Sequence, residues 1–235
     1  PNIILNTIVA EELSQFADAL ESAEDFNSAL HALIQKTIRE HKRIIFNGNN
    51  YSPEWVEEAG KRGLLNLRTT ADALPAFIAD KNIALFTKHK IFTATEMHSR
   101  YEILLENYCK TLNIEALTMT DMIRKKILPA VSAYERELCE TALRKKDLAL
   151  PAGQETKTAA AISKFADCLY EQTERLEEAL LKAKELDDTK AQADYYRDSI
   201  LPLMAEARSS ADMLELRTGE KYWPFPTYEK LLFYV

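Results

Sequence analysis

The clearest pattern in this chain is a pair of heptad-like repeats between residues 156 and 218. Apolar or small residues recur there at alternating steps of four and three, which places them along one face of each of two helices. A short polar linker around Asp187-Asp188-Thr189 predicts that the helices fold back as an antiparallel hairpin. Pro202 should bend the second helix. This seam between the two helices contains only a few large side chains, so we expect it to pack on another helix of the chain or on another subunit. Its positions are Ile162, Ala166, Leu169, Thr173, Leu176, Leu180 and Ala183, then Tyr196, Ile200, Leu203, Ala207, Ser210 and Leu214.

A long helical region is predicted before this hairpin, over about residues 94–148. Thr93 and Glu96 form the capping-box pattern that begins a helix. Pro129 lies inside the region and should kink it or divide it in two. The Pro151-Ala152-Gly153 turn ends it.

Shorter helices are predicted in the first ninety residues. Asn6 or Thr7 is a candidate cap for the first, Asp25 for the second, which ends near His41, and Ser52-Pro53-Glu54 begins another that Gly63 closes. Short pieces near 69–78 and 80–89 follow, interrupted by Pro75. The faces expected to point inward are Ile8, Val9, Leu13, Phe16 and Leu20 in the first helix, and Phe26, Leu30, Leu33, Ile34 and Ile38 in the second.

The pattern as a whole predicts an all-α fold: a multi-helix bundle with a long kinked helix and an antiparallel helical hairpin. At most one short strand-like segment is expected, at the β-prone residues 43–46.

The last fourteen residues differ sharply in composition from the rest of the chain. They concentrate aromatic and apolar residues around Pro224 and Pro226, and a tail of this kind must be buried against something. We expect docking either within the chain or on a neighbouring domain or subunit. The candidate docking residues are Tyr222, Trp223, Phe225, Tyr228 and Phe233, accompanied by Leu231, Leu232 and Tyr234.

Composition argues against several functional classes. Five glycines are scattered over 235 residues and form no phosphate-binding loop. The net charge of −7 disfavours a nucleic-acid partner, and the basic clusters at 124–126 and 144–146 are expected to be solvated helix faces or ends. No apolar run reaches the length of a membrane span. Three widely spaced cysteines predict reduced thiols in a cytoplasmic protein, and the start at Pro1, without methionine, suggests a fragment.

No catalytic, cofactor-binding or metal-binding residues are expected from the side-chain patterns. None of the four histidines follows a glutamate by three residues, so the carboxylate–histidine pattern of di-iron bundles is absent. His98 and Glu102 could share a helix face, but two ligands do not make a metal site. Cys109 could act as a nucleophile only if the fold brought His98 or His89 close to it.

Four long segments resemble the C-terminal region of type III glutamine synthetases. They are PNIILNTIVAEEL at the start, RIIFNGNNYSPEWVEEAGKRGLLNL, HSRYEILLENYCKTLNIEALTM, and YWPFPTYEKLLF near the end. The resemblance extends over essentially the whole chain.

This resemblance implies a cytoplasmic homo-dodecamer that makes glutamine from glutamate, ammonia and ATP with magnesium or manganese, through γ-glutamyl phosphate. The family's metal-binding glutamates, nucleotide pocket and phosphate-contacting arginines precede the segments matched here, so no catalytic residue is carried over and no cofactor is expected in this fragment. The chain is then expected to be a helical accessory or assembly domain whose partners are the catalytic domain and neighbouring subunits.

The expected organisation has three parts that together form one compact helical domain. Residues 1–22 would be the last helix of the catalytic core, 23–92 a segment of short helices and loops, and 93–235 the long helix, hairpin and aromatic tail. Separated from its partners, the first helix should expose, swap or repack its apolar face at Ile8, Leu13 and Phe16. Two alternatives stay open: a free-standing helical interaction module, and an autonomous helical enzyme using metal or thiol.

Overall fold

The computed structural model describes residues 1–226 and 228–233, and within these residues it contains helices and no strand. The all-α prediction is therefore confirmed. Contacts divide the chain into two compact units, Pro1–Leu104 and Leu105–Val235. The division lies inside a continuous helix, and the boundaries expected after residues 22 and 92 stay predictions.

Unit 1 consists of shorter helices and the first part of the long one. Two of its helices begin where the side chains predict: Asp25 accepts a hydrogen bond from the Asn27 amide at 3.2 Å, and Thr93 and Glu96 cap each other's amides at 3.2 and 2.8 Å. The elements are α1 (Asn2–Glu21), α2 (Phe26–His41), a 3₁₀ turn (Lys42–Ile44), α3 (Pro53–Lys61), α4 (Thr70–Phe77), α5 (Asp80–Lys88) and α6 (Ala94–Met122).

Two local predictions for unit 1 are wrong. Helix α1 begins at Asn2 rather than near Asn6, and the Thr7 hydroxyl donates to the Ile3 carbonyl inside the helix at 2.8 Å, because a threonine can bond the preceding turn instead of capping. Pro75 lies within α4 and does not interrupt it. The β-prone residues 43–46 form no strand, which agrees with the expectation of at most one strand-like segment.

The carbonyl groups of that β-prone segment are bound by a side chain instead of a neighbouring strand. Arg62 donates to the Arg43 and Ile45 carbonyl oxygens at 3.2 and 2.8 Å. A guanidinium group thus supplies donors that a strand partner would otherwise provide.

Unit 2 contains the predicted long helix and hairpin. After α6, a π-helical turn (Ile123–Ile127) leads without a break into α7 (Leu128–Asp147). Helix α8 (Gly153–Ala183) runs back along α7, and the second arm follows as α9 (Thr189–Tyr195), a second π turn (Tyr196–Ile200) and α10 (Leu201–Glu215). The hairpin packs on α7, which is the first of the two arrangements expected for it. The last described element is α11 (Tyr228–Leu232).

A π turn precedes each of the two prolines that were expected to bend a helix. Pro129 and Pro202 each lie two residues beyond a π turn, within the same Ile-Leu-Pro sequence. A proline has no amide proton for the usual bond to the residue four positions earlier. The wider π turn just before it absorbs this mismatch while the helix stays continuous.

The hydrophobic core is concentrated in unit 2. Its buried cluster joins α7, α8 and α10 and consists of Ile123, Ile127, Val131, Leu138, Ala159, Ile162, Leu169, Ala207, Ala211 and Leu214. The buried apolar side chains described for unit 1 are Ala71, Phe86 and Met97. The inward orientation predicted in α2 is wrong for Phe26, Ile34 and Ile38, which are about half exposed.

Three helices end in a residue with left-handed backbone conformation. Gly63 does so after α3 with φ of +70°, whereas Lys90 and Ala149 do so after α5 and α7 with φ of 54° and 55°. In the last case the Leu150 amide donates to the Lys145 carbonyl at 2.8 Å, the bond that closes a Schellman motif. A β-carbon makes this conformation costly, so glycine is the preferred residue there.

Replacing Ala149 by glycine is expected to raise the free energy of unfolding by about 1 kcal/mol, because the left-handed conformation then carries no side-chain penalty. Urea denaturation measures the change. The matched control is Gly63→Ala, where an added methyl group meets no atom within 4 Å and which is expected to lower stability by a similar amount. Equal stabilities of Ala149→Gly and the parent would contradict this account.

Candidate docking surfaces

The aromatic tail is fixed to unit 2 by its first half. The Tyr222 ring lies 5.3 Å from the ring of Tyr134 on α7, measured between centroids, and the Tyr222 hydroxyl donates to the Glu137 carboxylate. This hydrogen bond raises the pKa of Tyr222, because the carboxylate favours the protonated phenol.

Trp223 and Phe225 continue this docking toward the other end of α7. Both are half-buried against the core cluster, and their rings meet edge to face at 6.1 Å with an interplanar angle of 76°. The ammonium group of Lys126 lies 5.6 Å from the centre of the Phe225 ring. The tail therefore runs along α7 from Glu137 toward Lys126, antiparallel to the helix.

A glycine lets the tail approach α7 closely. A β-carbon on Gly219 would lie 3.2 Å from Cε2 of the Tyr134 ring, and the Gly219 carbonyl accepts from the Tyr222 and Trp223 amides at 2.8 and 3.2 Å. The turn that directs the tail onto α7 thus packs against the ring that Tyr222 contacts.

In the second half of the tail, the described apolar side chains are exposed. Leu231, Leu232 and Phe233 at α11 are exposed by 67%, 66% and 75%. Lys230 pairs with Glu220 at 2.8 Å, which lowers the pKa of Glu220. The side chain of Tyr228 and the whole of Tyr234 lie outside the described residues.

The five predicted docking residues thus differ in placement. Tyr222, Trp223 and Phe225 dock within unit 2, while Phe233 is exposed. Whether they also form an interface with another domain or subunit stays a prediction.

A second apolar surface lies on α1 of unit 1, where the polarity of the helix is inverted. Thr7 is 4% exposed and Glu11 is largely buried. Leu5, Val9 and Leu13, spaced four apart on the opposite face, are exposed by 60%, 56% and 60%. We call Leu5, Ile8, Val9 and Leu13 the α1 ridge. The inward orientation predicted from periodicity is therefore wrong for Ile8, Val9 and Leu13, whereas the exposure expected for a helix separated from its partners is found at Ile8 and Leu13; Phe16 is half-buried.

The buried face of α1 is held by an ion pair and a hydrogen bond to the end of α5. Both Glu11 carboxylate oxygens lie 2.7 Å from the Lys88 ammonium group, and Oε2 lies 2.7 Å from Nε2 of His89. Hydrogen bonds from Lys88, then Gln15 and His89, lower the pKa of Glu11 to about 2. Sequence reasoning missed this cluster, because its members are separated by 77 and 78 positions and no local pattern joins them.

An apolar cavity of about 270 Å³ lies beside the first turn of α1 within unit 1. Its walls include Ile3 and Ile4 of α1, and Arg100 lies at 4.5 Å over the Phe92 ring that also lines it. The remaining lining residues are Pro1, Phe77, Ile103 and Leu104.

The side chains considered for catalysis are dispersed. Burial raises the pKa of the Cys109 thiol, which disfavours the reactive thiolate; Cys139 is exposed and Cys168 is half-buried. His89 is bound to Glu11, and His98 is exposed. Across residues 1–226 and 228–233, the His, Cys, Asp and Glu side chains form no group of three placed to hold a metal ion. In the same residues, no helix combines the length and apolar character needed to cross a membrane.

Replacing Glu11 by glutamine is expected to destabilise the protein at pH 7, and this loss of stability is expected to shrink progressively as the pH falls from about 4.5 through about 2. The folded-state pKa is lower than the unfolded one, so the stabilisation is present above about pH 4.5 and is lost as the pH falls through about 2. Denaturation of parent and variant at several pH values tests this. A difference independent of pH would contradict it. Gln15→Ala removes one of the hydrogen bonds that lower the pKa of Glu11, and it is expected to give a smaller loss of stability with the same dependence on pH.

Replacing Trp223 by alanine is expected to lower the free energy of unfolding by about 2 kcal/mol, because a half-buried indole leaves the core cluster. The control is Phe233→Ala at an exposed position, expected to change stability by less than about 0.5 kcal/mol. Equal losses in the two variants would show that the tail does not dock as described.

Comparisons with known proteins agree over nearly the whole chain. The family model described as the glutamine synthetase C-terminal domain matches residues 29–146. A glutamine synthetase of Butyrivibrio fibrisolvens is 41% identical over 221 residues, which cover 90% of this chain and 31% of that protein. The type-3 glutamine synthetase of Dictyostelium discoideum is 32% identical over 99% of this chain and 33% of its own length. A glutamine synthetase of Bacteroides fragilis (strain YCH46) is 27% identical, with coverage of 98% and 33%.

The chain therefore spans about a third of the length of these relatives. Two of the long segments quoted from the sequence, residues 43–67 and 98–119, lie within the range that the family model matches. The chain belongs to the glutamine synthetase C-terminal domain family.

Proposed function

We propose that this chain is the C-terminal helical accessory and assembly domain of a type III glutamine synthetase subunit. The whole subunit would make glutamine from glutamate, ammonia and ATP, with Mg²⁺ or Mn²⁺, in the cytoplasm. The chain itself would not catalyse the reaction. The observation that carries this proposal is the match to glutamine synthetases over 90–99% of this chain and only about a third of their length.

The distribution of burial supports an accessory role. Unit 2 has a continuous core and holds the first half of its own tail, so its α7–α8–α10 bundle is internally packed. Unit 1 leaves a ridge of large apolar side chains on α1 in contact with solvent. An apolar surface of this kind marks a position where another part of a protein packs.

The metal and nucleotide chemistry is assigned to the remaining two thirds of the subunit. Divalent magnesium needs several carboxylate and phosphate oxygens converging on one point, and the described carboxylates do not converge in that way. We therefore derive no step of phosphoryl transfer through residues of this chain. Their role is to support the fold and assembly of the subunit.

The proposed partners are the catalytic domain of the same subunit and neighbouring subunits of a homo-dodecamer. Leu231, Leu232 and Phe233 offer an exposed apolar contact at α11, held in place by the docking of Trp223 and Phe225. Such a contact suits a neighbouring surface in an assembly, since three consecutive exposed apolar side chains are unfavourable in water.

The test compares the full-length synthetase that contains this sequence with the 235-residue chain alone. We expect glutamine formation from glutamate, ammonia and ATP in the full-length protein and none in the chain. Turnover by the chain alone, or its absence from the full-length protein, would refute the proposal.

Deletion of residues 222–235 from the full-length protein provides a separate test of the assembly role. We expect a lower thermal midpoint and a smaller mean assembly size, measured by mass photometry. The double substitution of Leu231 and Leu232 by serine is the matched variant, because it leaves the docked half of the tail intact. Unchanged assembly and melting after deletion would contradict the role given to the tail.

A further inference from the structure

We propose that the α1 ridge is the seam by which this domain packs on the remaining part of its own subunit. This inference rests on the proposed function and deepens it, because it names the contact surface and its occupant. It begins from the inverted polarity of α1, whose polar face is buried and whose apolar face is exposed.

The orientation of α1 is fixed by strong contacts. Lys88 and His89 of α5 hold Glu11 at distances of 2.7 Å, and Thr7 is buried on the same face. Turning the ridge inward would require breaking these contacts and exposing Thr7 and Glu11 in its place. The ridge is therefore presented outward by the packing of unit 1 itself.

The apolar surface continues from the ridge around the first turn of α1. Ile3 and Ile4, exposed by 53% and 41%, line the open cavity of about 270 Å³. Apolar side chains from a covering surface would therefore have both a ridge to pack against and a recess to enter. The lining is apolar except for Arg100, whose guanidinium group lies over Phe92, so an apolar occupant is favoured over a charged one.

The size of this surface indicates which occupant covers it. The ridge, Ile3 and Ile4 are each about half exposed, which amounts to an apolar area on the order of 500 Å². Independent partners that form a stable complex need roughly 800 Å² each. A smaller contact is sufficient when the two surfaces belong to one polypeptide, because tethering gives a high effective concentration. The relatives are about three times as long as this chain, so the occupant we assign is the rest of the subunit rather than a second copy.

The test measures thiol alkylation of the full-length synthetase, site by site, by peptide mass spectrometry. Val9→Cys places a reporter on the ridge, and Leu13→Cys is a second reporter in case the first variant does not fold. The control is Tyr51→Cys, at a residue that is 99% exposed. For each site, the labelling rate in urea is divided by the rate in the native protein, which corrects for the intrinsic reactivity of that cysteine. The site-by-site measurement keeps the natural cysteines separate from the introduced one.

We expect the ridge cysteine to react at least about tenfold more slowly in the native protein than in urea, and the control cysteine to react at nearly equal rates. The protection should persist when the protein is diluted until its subunits separate. Equal rates at the ridge would overturn the proposal. Protection lost in step with subunit separation would also overturn it, because the occupant would then be a second copy.

Glutamine formation is measured on the same preparations, so that the two proposals are judged separately. An active protein with a reactive ridge cysteine refutes the seam alone. An inactive protein with a protected ridge cysteine refutes the proposed function and leaves the covered surface standing.

Discussion

The α7–α8–α10 packing is the interaction on which the rest of unit 2 depends. Small residues at the seam, such as Thr173, Ala207 and Ser210, allow the helices to approach closely, and Leu169, Leu176 and Leu214 fill the space between them. The Thr173 hydroxyl is bound to the Leu169 carbonyl at 2.7 Å, so its burial leaves no unsatisfied donor. With this seam closed, α7 offers a stable outer face, and the aromatic tail lies on it.

Ion pairs also fix the orientation of α8 relative to the long helix. Arg124, just before α7, binds both carboxylate oxygens of Glu177 on α8 at 2.7 and 2.5 Å, a two-point contact that fixes relative rotation as well as distance. The pair lowers the pKa of Glu177. Near the other end, Lys145 pairs with the buried Glu155 and lowers its pKa. Together the two pairs hold α8 against the long helix near both ends of α7.

Local features of the fold could be predicted from the sequence, because their causes are local. The caps at Asp25 and Thr93 are interactions between residues two or three positions apart, and the seam follows from spacing alone. Periodicity identified the apolar faces of α1 and α2, but several residues that it predicted to be buried are exposed. Which face of a helix is buried depends on the helix that packs against it. For α1 this neighbour is α5, whose Lys88 binds Glu11 although the two residues are far apart in sequence.

The candidate surfaces were predicted in part. The composition of the tail indicated docking, yet it did not distinguish Trp223, which packs on the core, from Phe233, which is exposed. That difference depends on the Gly219 turn and on Tyr134, which together fix the direction in which the tail crosses α7. The family resemblance supplied what side-chain patterns could not, namely the larger protein to which such surfaces belong.

The two π turns have a consequence for the spacing of residues along the helices. A wider turn accommodates about one extra residue relative to an α-helix, and each residue corresponds to about 100° of rotation around the axis. The turn at Ile123–Ile127 therefore shifts the angular positions of the side chains between α6 and α7. As a result, the apolar face can point in different directions before and after the turn while the helix stays unbroken. The number of residues in the helical segments on either side of the turn is consequently constrained. Inserting or deleting one residue there would rotate the following side chains around the helix axis and disturb the packing more than a substitution of any side chain nearby.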